Sequence, residues 1–300
     1  MTTLYEYAAM LPPPYDDELW YSVMCRYRVH AGHNKPSETF HELFGPDRSF
    51  VTLNPYSVNP AMLSLSRDPI DTLIYHTTEP YVLRFAGLEV RHKVSHSLLV
   101  NEPIKNRPGI RGREEGLRYC PLCAKWERKH LGECYWHVSH QLPLMSLCPK
   151  HGCHLRYAGL TRTKCSGILF PAEFYIPTDG VVSRKDRGDP GEQSLCAYSY
   201  AALTASFSFS NVPPAPIPLY MDALIDQGVY QNRKFIKSPA LSLYGLMCAR
   251  FSKEVVDKVF DKNFWSSLKI LMRKSNSIAI NQYILLAATL ELPIADLFPV

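Results

Sequence analysis

Two short pairs of metal-binding side chains lie close together in the middle of the chain. Two residues separate Cys120 from Cys123 and Cys148 from His151, and 24 residues lie between the pairs. A two-residue spacer lets a tight turn aim both ligands at one ion, and three thiolates with one imidazole form a tetrahedral set that suits zinc. This closed set leaves no position for water or substrate. We therefore expect one structural zinc ion whose binding stabilises the fold.

Other cysteines and histidines compete for the same ion. Cys153 and His154 follow the second pair closely enough to replace His151, although the matching spacers favour His151. Four unpaired cysteines leave a second metal site open, but we expect buried or free thiols: Cys134, Cys153, Cys165 and Cys196. His130, His137 and His140 are expected to be packing or surface histidines.

The sequence contains none of the common catalytic signatures. It has no glycine-rich phosphate loop, no H-E-x-x-H and no G-x-S-x-G. The acidic run "YDDE" at 15–18 is typical of a helix start, where carboxylates complement the helix dipole. We therefore expect a protein that is not an enzyme and has no small-molecule substrate.

Charge is unevenly distributed along the 300 residues. The net charge is +5; residues 1–80 carry five Lys or Arg and ten Asp or Glu, a net −5, so the remainder carries +10. An acidic head and a basic body indicate two kinds of partner, one of them polyanionic. The alternative is that these charges only solvate the surface.

The start of the chain and its cysteines indicate the compartment. The first residues have no basic n-region and no long apolar run, so we expect no signal peptide, and no apolar run reaches the ~18 residues of a membrane span. An odd count of nine cysteines without an export signal favours a reducing cytosol over a disulfide framework. We expect a cytoplasmic protein with no membrane contact.

Apolar periodicity predicts a mostly α-helical, multi-domain fold. One helix is expected from Asp16 or Asp17 to Gly32, a second in "SETFHELFG" with Ser37 as cap, and a third at 68–85 broken by Pro80. These form an N-terminal helical domain over 1–95, for which a helix-turn-helix and a plain bundle both remain open.

The rest of the chain divides into a loop-rich zinc-binding domain and a second helical domain. Residues 101–118 are expected to be loop, and "GILFPAEFYIP" is expected to contain short strands. The proline-rich stretch at 211–218 is typical of a stiff linker. The expected domains are therefore 1–95, 96–210 and 211–300, the last with a helix-turn-helix as one alternative.

The chain resembles the TniQ/TnsD family of transposon target-selection proteins. The resemblance rests on "PPYDDELWYSVMCRYRVHAG", "LIYHTTEPY" and "RYCPLC…GECYW…QLP…CPKHGCHL"; the run "FWSSLKILMRKSNSIAINQYILLAATL" is more loosely similar to the TnsD branch. It covers most of residues 12–290. His140 departs from the pattern, because relatives often carry a second tryptophan there, which affects local packing and not the zinc ligands.

The resemblance implies an adaptor for transposition in the bacterial cytoplasm, associated with the nucleoid when active. Such proteins bind target DNA or a DNA-bound CRISPR guide-RNA complex, then recruit a TnsC-like AAA+ ATPase and the transposase. The acidic head and basic body agree with this division. A zinc-containing transcription regulator that reads a DNA sequence is the alternative.

Two sets of residues are candidates for these contacts. Residues at the acidic start of the chain are expected to dock the ATPase, unless they only cap a helix: Tyr15, Asp16, Asp17 and Glu18. Basic residues are expected to contact double-stranded DNA through its phosphates, unless they only solvate the surface: Lys105, Arg107, Arg111, Arg113, Arg233, Lys234, Lys237, Arg273 and Lys274.

Overall fold

The fold is built mainly from short helices, as the apolar periodicity predicts. The computed structural model describes residues 10–45, 58, 60–100, 116–161, 168–183, 186–211, 216–260, 264–271 and 279–299. The helices are α1 Trp20–His30, α2 Pro36–Phe44, α3 Pro60–Leu63, α4 Pro69–Tyr75, α5 Glu79–Val82, α6 Leu88–Val100, α7 Pro121–His130, α8 Ala172–Tyr175, α9 Pro190–Thr204, α10 Ile217–Asp226, α11 Lys237–Phe251, α12 Lys253–Phe260, α13 Phe264–Leu271, α14 Ile280–Thr289 and α15 Ile294–Leu297. Among these described helices, none has the length and apolar character that crossing a membrane requires.

Helix α1 begins later than its sequence suggests. Its N-cap is Leu19, whose apolar side chain cannot accept a capping hydrogen bond. Asp17 lies two residues earlier in a left-handed turn with φ of 60°. The backbone here is extended and pairs with residues 136–138: Leu19 N–H donates to the Trp136 carbonyl at 2.9 Å, and Val138 N–H donates to that of Asp17 at 2.7 Å. The expected caps, Asp16 and Asp17, therefore do not cap the helix.

The next two helices show how proline marks helix boundaries. Helix α2 begins at Pro36 after Lys35, not at the expected cap Ser37, and the Glu38 carboxylate accepts from the Lys35 N–H at 3.1 Å. The expected break in 68–85 occurs at residues 76–78, just before Pro80. Pro80 lies in the first turn of α5, where its missing N–H costs nothing.

A two-stranded antiparallel sheet encloses the cysteine-rich segment. Strand β1, Gly116–Tyr119, pairs with β2, Arg156–Thr161, in a register that sets Gly116 opposite Thr161. A side chain at Gly116 would meet the Leu160 carbonyl oxygen at 2.6 Å, so this close approach requires glycine. The expectation of loop at 101–118 is wrong for 116–118, because pairing with a segment some 40 residues away has no local signal; residues 101–115 lie outside the described residues.

A second hairpin lies in the C-terminal region, and the expected strands in "GILFPAEFYIP" do not form in its described part. Strands β3, Tyr230–Gln231, and β4, Lys234–Phe235, pair just before α11. Residues 172–175 instead form α8. Leu169, Ala172 and Ile176 recur at three- and four-residue spacing and are buried together, which is a helical pattern.

The hydrophobic cores join segments that the sequence suggested were separate. One core combines Trp20 and Met24 of α1 with Leu117 and Trp136 of the cysteine-rich region. Another combines that region with α9 and the C-terminal helices. Both expected boundaries fall between segments that share a core, so the division into 1–95, 96–210 and 211–300 stays a prediction about independent folding.

Two buried arginines, Arg84 just before α6 and Arg91 within it, bind carbonyls at the end of α9 and in the residues that follow it. Arg84 donates to the carbonyls of Ala202, Ala205 and Ser206 at 2.7–2.8 Å. Arg91 donates to the carbonyls of Arg84 and Ser208 at 2.7 and 2.6 Å. Burial, together with the charge of Arg91, lowers the pKa of Arg84 to about 10, which leaves it charged at neutral pH. The cations thus satisfy carbonyls that a helix end leaves without donors.

Replacing Arg84 with methionine should destabilise the protein strongly. The substitution keeps much of the side-chain volume but removes every donor, and each buried carbonyl left unpaired costs roughly 1–3 kcal/mol. We expect the free energy of unfolding in urea to fall by about 3 kcal/mol or more. Lys93→Met on the exposed face of α6 is the matched control and should change little. Equal stability of the two variants would contradict this role for Arg84.

Candidate metal centre

Two turns bring together four side chains of the types that bind metal ions. Cys120 follows β1 and caps α7, its sulfur accepting from the Cys123 N–H at 3.4 Å. Cys148 begins a tight turn in which its carbonyl accepts from Gly152 N–H at 2.8 Å, with Gly152 at φ of 64°. His151 lies inside this turn, so both pairs point their side chains toward one place.

The spacing of the four ligand atoms matches a tetrahedral metal site. The His151 Nδ1 lies 3.5, 3.3 and 3.5 Å from the sulfurs of Cys120, Cys123 and Cys148, and the sulfurs of Cys123 and Cys148 are 3.6 Å apart. Atoms bound to one tetrahedral ion at 2.0–2.3 Å would be separated by roughly 3.5–3.8 Å. All four lie within 4.8 Å of one another, and the three cysteines are buried. The group can therefore hold a metal ion.

The protonation of the thiols shows why a cation suits this cluster. Hydrogen bonds from the thiols of Cys120 and Cys123 lower the pKa of Cys148 to about 3. The pKa of Cys123 is raised for the complementary reason, because its thiol donates to Cys120 and Cys148. Close-packed thiols cannot all ionise by themselves. A divalent cation would compensate the charges and allow each sulfur to bind as thiolate.

The other cysteines and histidines that could have replaced these ligands lie outside the group of four. The two ring nitrogens of His154 lie 2.9 Å from the Asp186 carbonyl and 3.1 Å from a Glu192 carboxylate oxygen. The Cys153 sulfur lies 3.5 Å from that of Cys120, but it is outside the mutually close group. Cys196 accepts from the Leu147 N–H at 3.4 Å. Cys165 lies outside the described residues.

A second cluster consists of Cys123, His137 and His140, whose ligand atoms are just as close together. Both ring nitrogens of its His137, however, already have carboxylate partners. The His137 ring nitrogens lie 2.7 Å from a Glu127 oxygen and 3.2 Å from an Asp17 oxygen. Burial opposes the charge of this ring, yet the hydrogen bonds to Asp17 and Glu127 outweigh it and raise the pKa of His137 to about 10. An imidazolium has no lone pair for a metal, so this group acts as an ion-pair centre.

The acidic residues 15–18 mostly face inward. Glu18 is fully buried, with Arg26 Nη1 at 2.8 Å, and Asp17 accepts from Ser139 Oγ at 2.5 Å. The Tyr15 ring stacks on Tyr135 with centroids 5.1 Å apart. Asp16 alone among the four is exposed. Docking of a partner on these residues stays a prediction, and their described contacts join the N-terminal segment to the cysteine-rich region.

The predicted DNA-contacting residues fall into two groups. Arg233 and Lys234 lie at the tip of the β3–β4 hairpin and are exposed, as is Lys237 at the start of α11. Phe235 meets Trp265 of α13 edge-on at 6.4 Å, which places the hairpin beside α13. The others lie outside the described residues: Lys105, Arg107, Arg111, Arg113, Arg273 and Lys274.

Comparison with known proteins agrees with this arrangement. The TniQ family profile matches residues 9–155, a span that contains all four clustered ligands. The chain is also 28% identical over 152 residues to the transposon Tn7 transposition protein TnsD of Escherichia coli, an alignment that covers 47% of this chain and 30% of that protein. Residues 9–155 thus match the TniQ family, which confirms the resemblance seen in the sequence.

The cluster should bind one metal ion per chain. Elemental analysis of freshly purified protein should find one equivalent of zinc, and Cys148→Ser should lose it together with the structure of residues 116–161. Cys248→Ser, which changes a cysteine of α11 outside the cluster, should keep both. Metal-free wild-type protein that unfolds as cooperatively as the metal-bound form would contradict the assignment.

Glu18 should make stability depend on pH. Burial raises the pKa of Glu18 to about 7, although Arg26 opposes the shift. The folded protein then holds a proton that the unfolded chain releases near its ordinary pKa of 4.5, so the free energy of unfolding falls as pH rises between these values. Glu18→Gln should remove this dependence. Its stability relative to wild type should rise by about 2–3 kcal/mol from about pH 5 to pH 8.

The difference in free energy of unfolding between Glu18→Gln and wild type isolates the contribution of Glu18, because protons taken up by the metal ligands and His137 contribute equally to both proteins. Urea unfolding at several pH values, with zinc present throughout, would measure it. Glu38→Gln, at an exposed position of α2, is the control and should leave the pH dependence of the difference unchanged. A constant difference between Glu18→Gln and wild type would show that Glu18 has an ordinary pKa.

Proposed function

We propose that this chain selects the target site of a DNA transposon. It binds target DNA, or a CRISPR guide-RNA complex already on DNA, and recruits a TnsC-like AAA+ ATPase, which brings the transposase. The observation that carries the proposal is the coincidence of the TniQ match with the buried Cys3His cluster inside it. The similarity to TnsD, a transposition protein, supports the same role.

The ion in this proposal is zinc, held by Cys120, Cys123, Cys148 and His151. Three sulfurs and one nitrogen at tetrahedral spacing are a soft donor set that suits zinc, and four protein ligands fill its coordination. Its role is structural. It fixes the turns at residues 120–123 and 148–151 and takes no part in a reaction.

The basic hairpin and the helices beside it are the proposed DNA surface in the C-terminal region. Helices α12 and α13 are separated by three residues, 261–263, as the two helices of a helix-turn-helix are. The exposed cations Arg233, Lys234 and Lys237 lie next to them and would contact phosphates. The six basic candidates outside the described residues remain part of the proposal.

The ATPase would dock in a groove between the N-terminal segment and α4. The groove has a volume of about 650 Å³ and includes Asp16, Asp68 and Asp71, with Tyr75 and prolines 12–14 along its walls. Tyr75 is 63% exposed, and exposed aromatic rings are frequent anchors at interfaces. The groove combines negative charge with apolar area, which suits a basic segment of a partner that coats DNA.

The proposal is tested by assembling the system from its parts. Full-length protein, the AAA+ regulator and the transposase of the same transposon are combined with target DNA or guide complex, and insertion at the target is measured. Insertion should require this protein. Target-directed insertion of equal frequency without it would contradict the function, as would DNA binding that affects only transcription.

The docking groove has its own test in the same assay. Asp16→Asn with Asp71→Asn should reduce ATPase retained on target DNA by about three- to tenfold while leaving DNA affinity unchanged, because rim charges chiefly govern association. Asp222→Asn with Asp226→Asn on α10 removes two exposed charges outside the groove and is the matched control. Equal retention by the two double variants would remove the groove from the proposal.

A further inference from the structure

Helix α7 of the metal centre has one face buried and one exposed face that carries basic side chains and an aromatic ring. Cys123, Ala124 and Glu127 point inward. The exposed strip, here called the α7 platform, consists of Lys125, Trp126, Lys129 and His130, with Lys150 from the second metal-binding turn. Trp126 is 43% exposed, which is unusual for so large an apolar side chain.

The tryptophan holds two of these basic side chains in place. Lys150 Nζ lies 4.5 Å from the centre of the Trp126 ring, a cation–π contact. The His130 ring stacks on Trp126 with centroids 4.4 Å apart, and its Nδ1 lies 2.7 Å from the Trp126 carbonyl oxygen. A lysine positioned by an aromatic ring loses less side-chain entropy when it binds an anion than a free lysine does.

The platform has no carboxylate of its own. The nearest acidic residues in sequence face away: Glu127 bonds His137, and Glu133 bonds Arg26 and His30. Among the described residues, no ion pair involves Lys125, Lys129 or Lys150. Three lysines therefore present uncompensated charge on one continuous strip.

Helix stability accounts for only part of this pattern. Lys129 and His130 lie in the last turn of α7, where positive charge complements the helix dipole. Lys125 lies near the middle of the helix, and Lys150 belongs to a different turn, so the dipole explains neither. What Lys125, Lys129 and Lys150 share is the surface they face.

We propose that the α7 platform binds the phosphate backbone of duplex DNA, as a second contact beside the C-terminal surface. This proposal rests on the proposed function. The apolar area of the strip is a single tryptophan that already contacts Lys150 and His130, which is too little for the buried anchors of a typical protein interface. Lysines without carboxylate partners, one of them positioned by an aromatic ring, are what a phosphate backbone requires.

The metal centre would organise this contact. Lys150 lies between two of the ligands, Cys148 and His151, while Trp126 lies three residues after Cys123. The Lys150–Trp126 contact therefore joins the two turns that the cluster holds together. Losing the ion should separate them and weaken DNA binding.

The test is the salt dependence of DNA binding by the full chain. Wild type and Lys125→Gln/Lys129→Gln are titrated with a fluorescent duplex of arbitrary sequence at several salt concentrations. Each lost phosphate contact lowers the slope of log affinity against log salt by about 0.9, so the double variant should lose nearly two units of slope and roughly tenfold in affinity. Lys35→Gln/Lys93→Gln removes two exposed lysines elsewhere and should match wild type. Zinc content confirms that each variant is folded.

The outcomes separate this proposal from the proposed function. If wild type binds DNA and the two double variants have the same slope and affinity, the α7 platform is wrong and the proposed function stands. If Lys125→Gln/Lys129→Gln keeps its DNA affinity but loses the AAA+ regulator, the platform binds an acidic protein face, which also overturns the proposal. If wild type binds neither duplex DNA nor a DNA-bound guide complex, both fail.

Discussion

Crowding of three thiols and one imidazole into a single buried space is the constraint on which the central part of this protein depends. The ligand atoms lie 3.3–3.6 Å apart where the structure gives their contacts, so without a cation only part of the set can ionise. The segment between the two pairs has little regular structure beyond α7 and one short turn at 139–141. A shared ion would hold this segment in place where backbone hydrogen bonding does not.

The N-terminal helix packs against the region that the cluster holds. Trp136 lies between the two ligand pairs, is fully buried, and shares a core with Trp20 and Met24 of α1. Its backbone N–H donates to Ser22 Oγ at 3.0 Å. Beside it, Arg26 with Glu133 and His137 with Asp17 form ion pairs across the same joint. The groove beside α4 and the α7 platform therefore lie on one connected body, as the proposed coupling of recognition to recruitment requires.

Sequence reasoning succeeded where the signal was local. The paired two-residue spacers predicted the four Cys and His side chains that the structure brings together, and apolar periodicity predicted the helical regions at both ends of the chain. It was wrong about Asp16 and Asp17 as helix caps, because adjacent carboxylates before an apolar stripe look the same whether they cap or pair. The partner of Asp17 is His137, 120 residues away, and no local pattern predicts such a contact.

Separation along the chain also explains the other differences between the predicted and the observed structure. Strand β1 forms only because β2 lies beside it, and the cores shared across residues 95 and 210 come from contacts between distant segments. The tip of the β3–β4 hairpin was identified as basic from its composition. An aromatic contact between Phe235 and Trp265, which only the folded chain reveals, places it beside α13.

Hydrogen exchange of the full chain before and after treatment with a metal chelator tests most directly whether the candidate metal centre supports the N-terminal helix. Backbone amides of α1 and of residues 116–161 would be followed by mass spectrometry at neutral pH. The account predicts that chelation removes protection from both segments together, because α1 packs on a surface that the cluster organises. Full protection of α1 after the ion is gone, with faster exchange confined to residues 116–161, would contradict it.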